Sequence, residues 1–321
     1  MERTGGTDRF SSKLRRGMSL IIAAALMTSC SVGVHNESVP GEDDFPEITI
    51  TEPVITEPSI TEESIPFFPA IKYTTAEPEK GTLEGNRQTI NFCRDGQKIN
   101  GRITIPEGEG PFETIIICGG LYSRMGRYSS KAKSYCNKGF AVIEFDFLNG
   151  APPPDYADPE YIGDFIFEQI LDVYAVVDSL KFIQEVDTNS VYLYGHSMGG
   201  LVASYVGTLR QDDISGLILV DPSFYASRLM EFEHEETITT DIDHLITFCE
   251  IPVVIITGTT GSFGEDPDFF EEELEAFPDC RYVIIDGANH HMDGESGELV
   301  VESSVRAIRS WCNKLTLLCI L

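Results

Sequence analysis

Basic residues are scarce in this sequence. Its 321 residues include 23 Lys and Arg against 52 Asp and Glu, so the formal net charge at pH 7 is -29. A field of that sign repels phosphate backbones, and we therefore expect no nucleic-acid partner or substrate. The apolar share of 42% is ordinary for a globular protein, so the chain can build a sizeable core.

The sequence also lacks the usual signatures of metal and phosphate sites. Its eight cysteines are scattered, without the paired spacing of a zinc site, and they suggest no particular disulfide. Gly258, Gly261 and Gly264 recur every three residues but lack the Lys-Ser/Thr of a P-loop and the spacing of a dinucleotide fingerprint. We expect no metal and no cofactor, and we interpret this glycine stretch as a flexible loop.

The first thirty residues read as an export signal. The apolar run at residues 18–27 follows a basic leader and is too short to cross a bilayer, which requires about 20 residues. It ends in Leu26-Met27-Thr28-Ser29-Cys30, which resembles a bacterial lipobox, whose cysteine is lipidated and becomes the mature N-terminus. We predict a protein that is exported, anchored to the cell membrane through Cys30 and facing outside. A plain signal peptide with an incidental cysteine is the alternative.

Residues 31–80 are predicted to form an acidic, extended tether. Ile-Thr-Glu-Pro occurs at residues 50–53 and 55–58, and Ile-Thr-Glu-Glu follows at residues 60–63. Regular proline and like charge oppose a packed core and favour a self-repelling spacer. A binding segment for a partner is the alternative.

Residues 81–321 are predicted to form one domain in which strands and helices alternate. We expect a hairpin around residues 94–97, and the apolar spacing of residues 162–185 indicates a helix with one buried stripe. Further strands are predicted at residues 114–118, 140–147, 191–196, 214–220, 251–257 and 281–285, and further helices at residues 129–138, after Ser197 and at residues 298–311. This alternation predicts an α/β fold with a mostly parallel sheet and helices on both faces.

The most informative stretch is Gly195-His196-Ser197-Met198-Gly199, at the junction between a strand and a helix. Gly-x-Ser-x-Gly in that context is a nucleophile elbow, because side chains at the two glycines would keep the strand and helix apart. The turn exposes the serine hydroxyl, and the N-terminus of the helix offers amides to a developing oxyanion. We therefore predict that Ser197 is a nucleophile. The alternative is a glycine-rich turn with no catalytic role.

The elbow, the Gly119-Gly120 turn after an earlier strand and the late Gly287-Ala288-Asn289-His290 resemble the α/β-hydrolase family over residues 81–311, in particular its small serine esterases and acylglycerol-lipase-like members. The resemblance implies that His290 is the general base. It also implies that the amides of Met198 and Gly120 form the oxyanion hole, if Cys118-Gly119-Gly120 is aligned with the family's His-Gly-x.

Several residues are candidates for the acid of the triad. Family members often carry it in a Gly-x-x-Asp loop after the penultimate strand, where this chain has Gly261 in place of the aspartate. Asp221, in Leu219-Val220-Asp221-Pro222, resembles the context of the acid in pancreatic-type lipases and is our first choice. Glu265, Asp266 and Asp268 are the alternatives.

The predicted function is that of a serine carboxylic ester hydrolase. The segment at residues 223–250 occupies the position of the family's cap and is short, which favours small or polymer-attached esters. The resemblance to cinnamoyl and acetyl esterases makes glycan-linked esters plausible substrates. A serine peptidase or other acyl hydrolase on the same fold, and a surface binding protein that has lost catalysis, are the rival hypotheses. The sequence indicates no oligomeric state.

Overall fold

The computed structural model describes residues 49–51, 72–150, 159–224, 245–261 and 271–318. The predicted signal peptide with Cys30, most of the tether, most of the cap segment and Glu265, Asp266 and Asp268 lie outside the described residues. No helix in the described ranges combines the length and the apolar character that a membrane crossing requires.

One mixed sheet contains ten strands within these ranges, in the order β1-β10-β9-β8-β7-β5-β6-β4-β3-β2. The strands are β1 (Thr49–Thr51), β2 (Glu79–Glu84), β3 (Arg87–Arg94), β4 (Gln97–Thr104), β5 (Phe112–Cys118), β6 (Ala141–Phe145), β7 (Val186–His196), β8 (Gly216–Val220), β9 (Val253–Gly258) and β10 (Cys280–Ile285). The six strands from β6 to β10 across the sheet are parallel. Antiparallel strands extend the sheet on both sides. The prediction of a mostly parallel sheet is confirmed.

Helices cover both faces of the sheet. They are α1 (Ser129–Asn137), α2 (Pro159–Ser179), α3 (Met198–Leu209), α4 (Glu271–Ala276) and α5 (Glu295–Leu318), with a short 3-10 helix at Leu180–Phe182. α1 packs on α5, and α2 packs on α3. The side chains of each pair belong to a separate apolar cluster, so the sheet is the middle layer of three.

Strand β5 explains why the central strands are apolar throughout. Ile115 and Ile117 pack in the cluster beneath α1 and α5, whereas Ile116 and Cys118 pack in the cluster beneath α2 and α3. A strand with helices on both faces has no solvent side, so it shows no alternation of polar and apolar residues.

Two parts of the predicted tether are ordered against the domain. Thr49–Thr51 pairs with β10 as the edge strand β1. The hydroxyl of Tyr73 donates to Asp178 over 2.6 Å, and the amide of Thr74 donates to Asp95 over 2.8 Å. The packed domain therefore begins before residue 81. Composition misses these contacts because edge pairing and single polar contacts require no apolar run.

The other differences from the predicted elements have simple causes. The long helix ends at Ser179 and continues as the 3-10 helix, and β7 begins at Val186. Strand β2 was not predicted, because all six of its residues are exposed and carry no apolar pattern. Edge strands commonly carry charge where a central strand would be apolar.

Candidate active site

Ser197 lies in a strained turn between β7 and α3. Its φ of 54° and ψ of -123° place it in a region that non-glycine residues rarely adopt. Its amide donates to the carbonyl of Val220 over 3.0 Å, and its carbonyl accepts from the amides of Gly200 and Ser223 at 2.9 and 3.0 Å. The turn is thus held by hydrogen bonds to α3 on one side and to β8 and the residues after it on the other.

The glycines of the motif permit the close approach of three backbone segments. A Cβ on Gly195 would lie 2.4 Å from the carbonyl oxygen of Gly199. A Cβ on Gly199 would lie 2.2 Å from the carbonyl oxygen of Cys118, at the end of β5. Both distances are below contact limits, so side chains at these positions would separate β5, β7 and α3.

Asp221 and His290 meet directly. Nδ1–H of His290 donates to Oδ2 of Asp221. The other carboxylate oxygen accepts from the hydroxyl of Thr257 over 2.8 Å, and the Asp221 side chain is fully buried. A buried carboxylate with both oxygens bonded fixes the ring orientation of its histidine and leaves Nε2 as the nitrogen that can accept a proton.

These residues follow neighbouring parallel strands. Ser197 follows β7, Asp221 follows β8 and His290 comes five residues after β10. The carboxyl ends of parallel strands lie at one edge of the sheet, where open α/β sheets bind their ligands. The structure thus brings together the first-choice acid and the predicted base, whereas the alternative acids lie outside the described residues.

The segment after β9 packs against the loop that carries His290. The amide of Thr260 donates to the carbonyl of Ala288 over 2.9 Å. A Cβ on Gly258 would lie 2.2 Å from that same carbonyl oxygen. The described part of this glycine stretch, predicted as a flexible loop, therefore supports the His290 loop.

His196 lies beside the nucleophile and is buried. Its ring centroid is 4.8 Å from that of His290. Burial, followed by the neighbouring His290, lowers the pKa of His196 well below its ordinary value, so the ring stays neutral at pH 7. A neutral imidazole has one donor and one acceptor nitrogen. His196 therefore carries a single ring proton.

The partners of His196 fix which nitrogen holds that proton. Nε2 lies 2.6 Å from the carbonyl oxygen of His290, which can only accept, so Nε2 donates. Nδ1 then accepts from the hydroxyl of Tyr128 over 2.9 Å. The oxygen of Tyr128 in turn accepts from the amide of Gly120 over 2.9 Å. This buried chain joins the turn after β5 to the backbone of the His290 loop through the elbow.

The chain has a consequence for the predicted oxyanion hole. Gly120 lies against the nucleophile, since a Cβ there would come within 3.1 Å of the Cβ of Ser197. Its amide, however, is committed to Tyr128. The next amide along the chain, that of Leu121, and the amide of Met198 have no hydrogen-bond partner in the described part of the chain. In this structure the predicted donor Gly120 is thus bonded to Tyr128, and the amide of Leu121 is an alternative donor.

A basic cluster on and before α1 holds the far side of the His290 loop. Nζ of Lys131 donates to the carbonyl of Met292 over 2.6 Å, and Arg127 pairs with Asp293 at 2.7 Å. Burial lowers the pKa of Lys131 to about 8. The histidine loop is thus fixed at Ala288, at His290 and at Met292.

Other sequence candidates have different places. Phe224, expected in the cap, is buried in the core with its ring centroid 6.2 Å from that of Phe277. Burial raises the pKa of Cys118 to about 12, so that thiol stays protonated at pH 7. His234 and His244 lie outside the described residues. No group of three or more His, Cys, Asp or Glu within the described ranges could hold a metal ion.

Sequence reasoning missed Tyr128, Thr257 and Ser223. Ser223 directly follows Asp221-Pro222 at a strand end, a place where a polar residue signals a site. Tyr128 and Thr257 gave no such signal, because one precedes a predicted helix and the other lies within an apolar strand.

We predict that His196 makes the protein sensitive to acid. Its pKa is lower in the folded protein than in the unfolded chain, so below about pH 6.5 the unfolded chain takes up the proton first and stability falls. Between pH 6.5 and 5, the free energy of unfolding of the wild type should fall more steeply than that of His196→Gln, by up to about 1.4 kcal/mol per pH unit. Urea denaturation across this range measures both slopes, and parallel slopes would contradict the assignment.

Comparisons with known proteins point to hydrolases and esterases. The family model Hydrolase_4, described as serine aminopeptidase, S33, matches residues 109–246. Esterase FrsA from Enterobacter sp. (strain 638) is 27% identical over 146 residues. That alignment covers 45% of this chain but only 34% of the relative, so the chain matches about a third of the length of FrsA.

Solved structures show the same architecture. Est1E from Butyrivibrio proteoclasticus superposes with a TM-score of 0.52 at 19% identity, covering 69% of this chain and 99% of that protein. Acetyl xylan esterase 1 from Thermoanaerobacterium sp. JW/SL YS485 gives a TM-score of 0.51 at 15% identity, covering 75% of this chain and 89% of that protein. The chain therefore has the α/β-hydrolase fold.

Proposed function

We propose that the protein is a serine carboxylic ester hydrolase that works through an acyl-enzyme. The observation that carries the proposal is the His290–Asp221 pair at the same sheet edge as a strained serine turn. A serine nucleophile requires a base, a group that orients the base and oxyanion donors. The described residues supply candidates for all of them, and the matches to a hydrolase family and an esterase support the same class.

In this mechanism Ser197 Oγ attacks the ester carbonyl while its proton passes to Nε2 of His290. The tetrahedral intermediate collapses, the alcohol leaves with that proton, and Ser197 remains acylated. Water then attacks the acyl group and gives a proton to His290, which returns it to Ser197 as the acid departs. Asp221 stabilises the imidazolium that forms in each half of the cycle.

The oxyanion would be bound by the amides of Met198 and Leu121. Met198 follows Ser197 in sequence, Leu121 follows Gly120, which lies against Ser197, and neither amide has a partner in the described ranges. The hydrogen bond from Gly120 to Tyr128 fixes the turn that presents Leu121. Preorganised amides of this kind are worth about 10²–10³ in kcat for each donor.

Because His196 is neutral and fully bonded, His290 is the histidine that exchanges a proton with Ser197. Two histidines stand near the nucleophile, but His196 has both ring nitrogens bonded and a lowered pKa. A ring in that state neither accepts the serine proton nor adds a positive charge beside the imidazolium of His290.

We predict that a fluorophosphonate probe labels the wild-type protein and does not label Ser197→Ala. Such a probe reacts only with an activated serine, so no substrate needs to be guessed. Asp221→Asn should slow labelling by about 10⁴, because the histidine loses its orienting carboxylate. Gel fluorescence and intact-mass spectrometry measure the reaction.

Ser204→Ala is the matched control, since it removes a buried hydroxyl that donates to Gly200 within α3. It should label as the wild type does. A folded wild-type protein that takes up no label would favour the non-catalytic binding protein instead.

A serine peptidase is the second candidate, because the matching family model is described as a serine aminopeptidase. The acyl-enzyme chemistry is shared, and the leaving group differs. Both enzymes would cleave an ester faster than the amide with the same acyl group, because an alcohol is the better leaving group. Measurable Ser197-dependent turnover of the amide would therefore favour the peptidase, and turnover of the ester alone would favour the esterase.

We infer that the substrates are small or polysaccharide-linked esters. Fold neighbours include an acetyl xylan esterase and Est1E with ferulic acid bound, which motivates the choice of acyl groups. Acetate or ferulate release from acetylated or feruloylated xylan should exceed fatty-acid release from an emulsified long-chain triglyceride. Titration of the released acid measures both reactions. Faster release from the triglyceride would refute this substrate class.

We also propose that the protein is an exported lipoprotein, anchored through Cys30 and facing outside. The basic leader, the apolar run and the residues before Cys30 support this placement. In a bacterial expression host, Cys30→Ser should move the protein out of the membrane fraction and abolish incorporation of labelled palmitate. Labelling that persists in the variant would show that Cys30 is not the lipidated residue.

A further inference from the structure

Ser223, outside the predicted triad, lies close to the hydroxyl oxygen of Ser197. Its Oγ is 3.3 Å from Oγ of Ser197, and its side chain is almost fully buried. Its amide also donates to the carbonyl of Ser197 over 3.0 Å. Ser223 therefore contacts the elbow through both its backbone and its side chain.

The backbone around Ser223 is rigid. Asp221 has a φ of 45° and hydrogen bonds to both carboxylate oxygens. Pro222 packs on α3, since a Cβ on Gly200 would lie 2.7 Å from the Cβ of Pro222. The carboxylate and the second hydroxyl are thus placed by one short segment, Asp221-Pro222-Ser223.

The direction of the hydrogen bond follows from the mechanism. When Ser197 attacks, its own proton goes to His290, so the bond between the two hydroxyls requires Ser223 to donate. Oγ of Ser197 then accepts from Ser223, and the strength of the bond follows the strength of Oγ as an acceptor.

We propose that Ser223 is a catalytic residue that favours deacylation, by donating a hydrogen bond to Oγ of Ser197. The inference rests on the proposed acyl-enzyme mechanism. In the acyl-enzyme this oxygen is the alkoxy oxygen of an ester and a poor acceptor, so the bond is weak. When the acid departs, the oxygen takes the proton from His290 and becomes a hydroxyl again. The bond then regains its full strength, and the transition state has part of that gain.

The same bond has the opposite effect on acylation. Free Ser197 is stabilised by Ser223 and loses that stabilisation as its oxygen becomes an ester. Ser223 therefore lowers the free energy of the free enzyme relative to the acyl-enzyme. The hydrogen bond therefore slows acylation and accelerates deacylation. Loss of packing alone would not change the two rates in opposite directions.

The test is steady-state and rapid-mixing kinetics of Ser223→Ala with p-nitrophenyl acetate. The good leaving group makes deacylation limit turnover, so kcat reports deacylation and kcat/KM reports acylation. A net hydrogen bond of ordinary strength predicts that kcat falls about threefold to tenfold. We expect kcat/KM and the rate of the p-nitrophenol burst to stay unchanged or rise.

A fall in kcat and kcat/KM by the same factor would overturn the proposal, because it would indicate a structural effect on the site. Ser204→Ala is the control for loss of a buried hydroxyl and should change neither constant. Ser223→Cys, with a weaker donor of similar size, should give an intermediate kcat, and it keeps the test informative if Ser223→Ala folds poorly.

If the protein were not a serine esterase, the kinetic experiment would give a different result. In that case the wild type itself would give no burst, and Ser197 would not react with the fluorophosphonate. A wild type that shows both, together with parallel losses in Ser223→Ala, would remove the role of Ser223 and leave the esterase assignment intact.

Discussion

The backbone strain at Ser197 is the constraint on which the site depends. A serine with positive φ persists only where its surroundings over-determine it. Here the surroundings are the hydrogen bonds to Val220, Gly200 and Ser223 and the side-chain-free contacts at two glycines of the motif. The three-layer packing makes those contacts possible, because apolar clusters on both faces of the sheet hold β5, β7 and α3 close to one another. Core packing thus holds one buried serine in a backbone conformation that serine rarely adopts.

A second hydrogen-bond network connects the turn after β5 to the loop that carries His290. Tyr128 and His196 link Gly120, in the turn after β5, to the carbonyl of His290 after β10. Burial matters twice in this chain: it excludes competing water from each bond, and it keeps His196 neutral, so that its donor and acceptor sides are defined. The position of the His290 loop is therefore coupled to the position of the turn after β5.

Much of this arrangement could be predicted from the sequence, for identifiable reasons. The apolar runs and the elbow motif depend on local spacing, and Ser197 and His290 follow from the order of motifs along the chain. Asp221 came from the residues at a strand end, and the structure places it on His290. The bond between the Gly120 amide and Tyr128 could not be predicted, because Tyr128 precedes a helix and carries no motif that marks its hydroxyl as an acceptor. Strand β2 was missed because its exposed, charged residues carry no periodic signal.

The acid after β8 separates two tasks that a Gly-x-x-Asp loop would combine. Asp221 orients His290 from the end of β8, and the described residues after β9 support the loop that carries His290. The fixed part, Thr257 to Thr260, is short and serves as a support for the histidine loop. Such a division would let relatives with this placement of the acid diversify their substrates rapidly while conserving a single reaction.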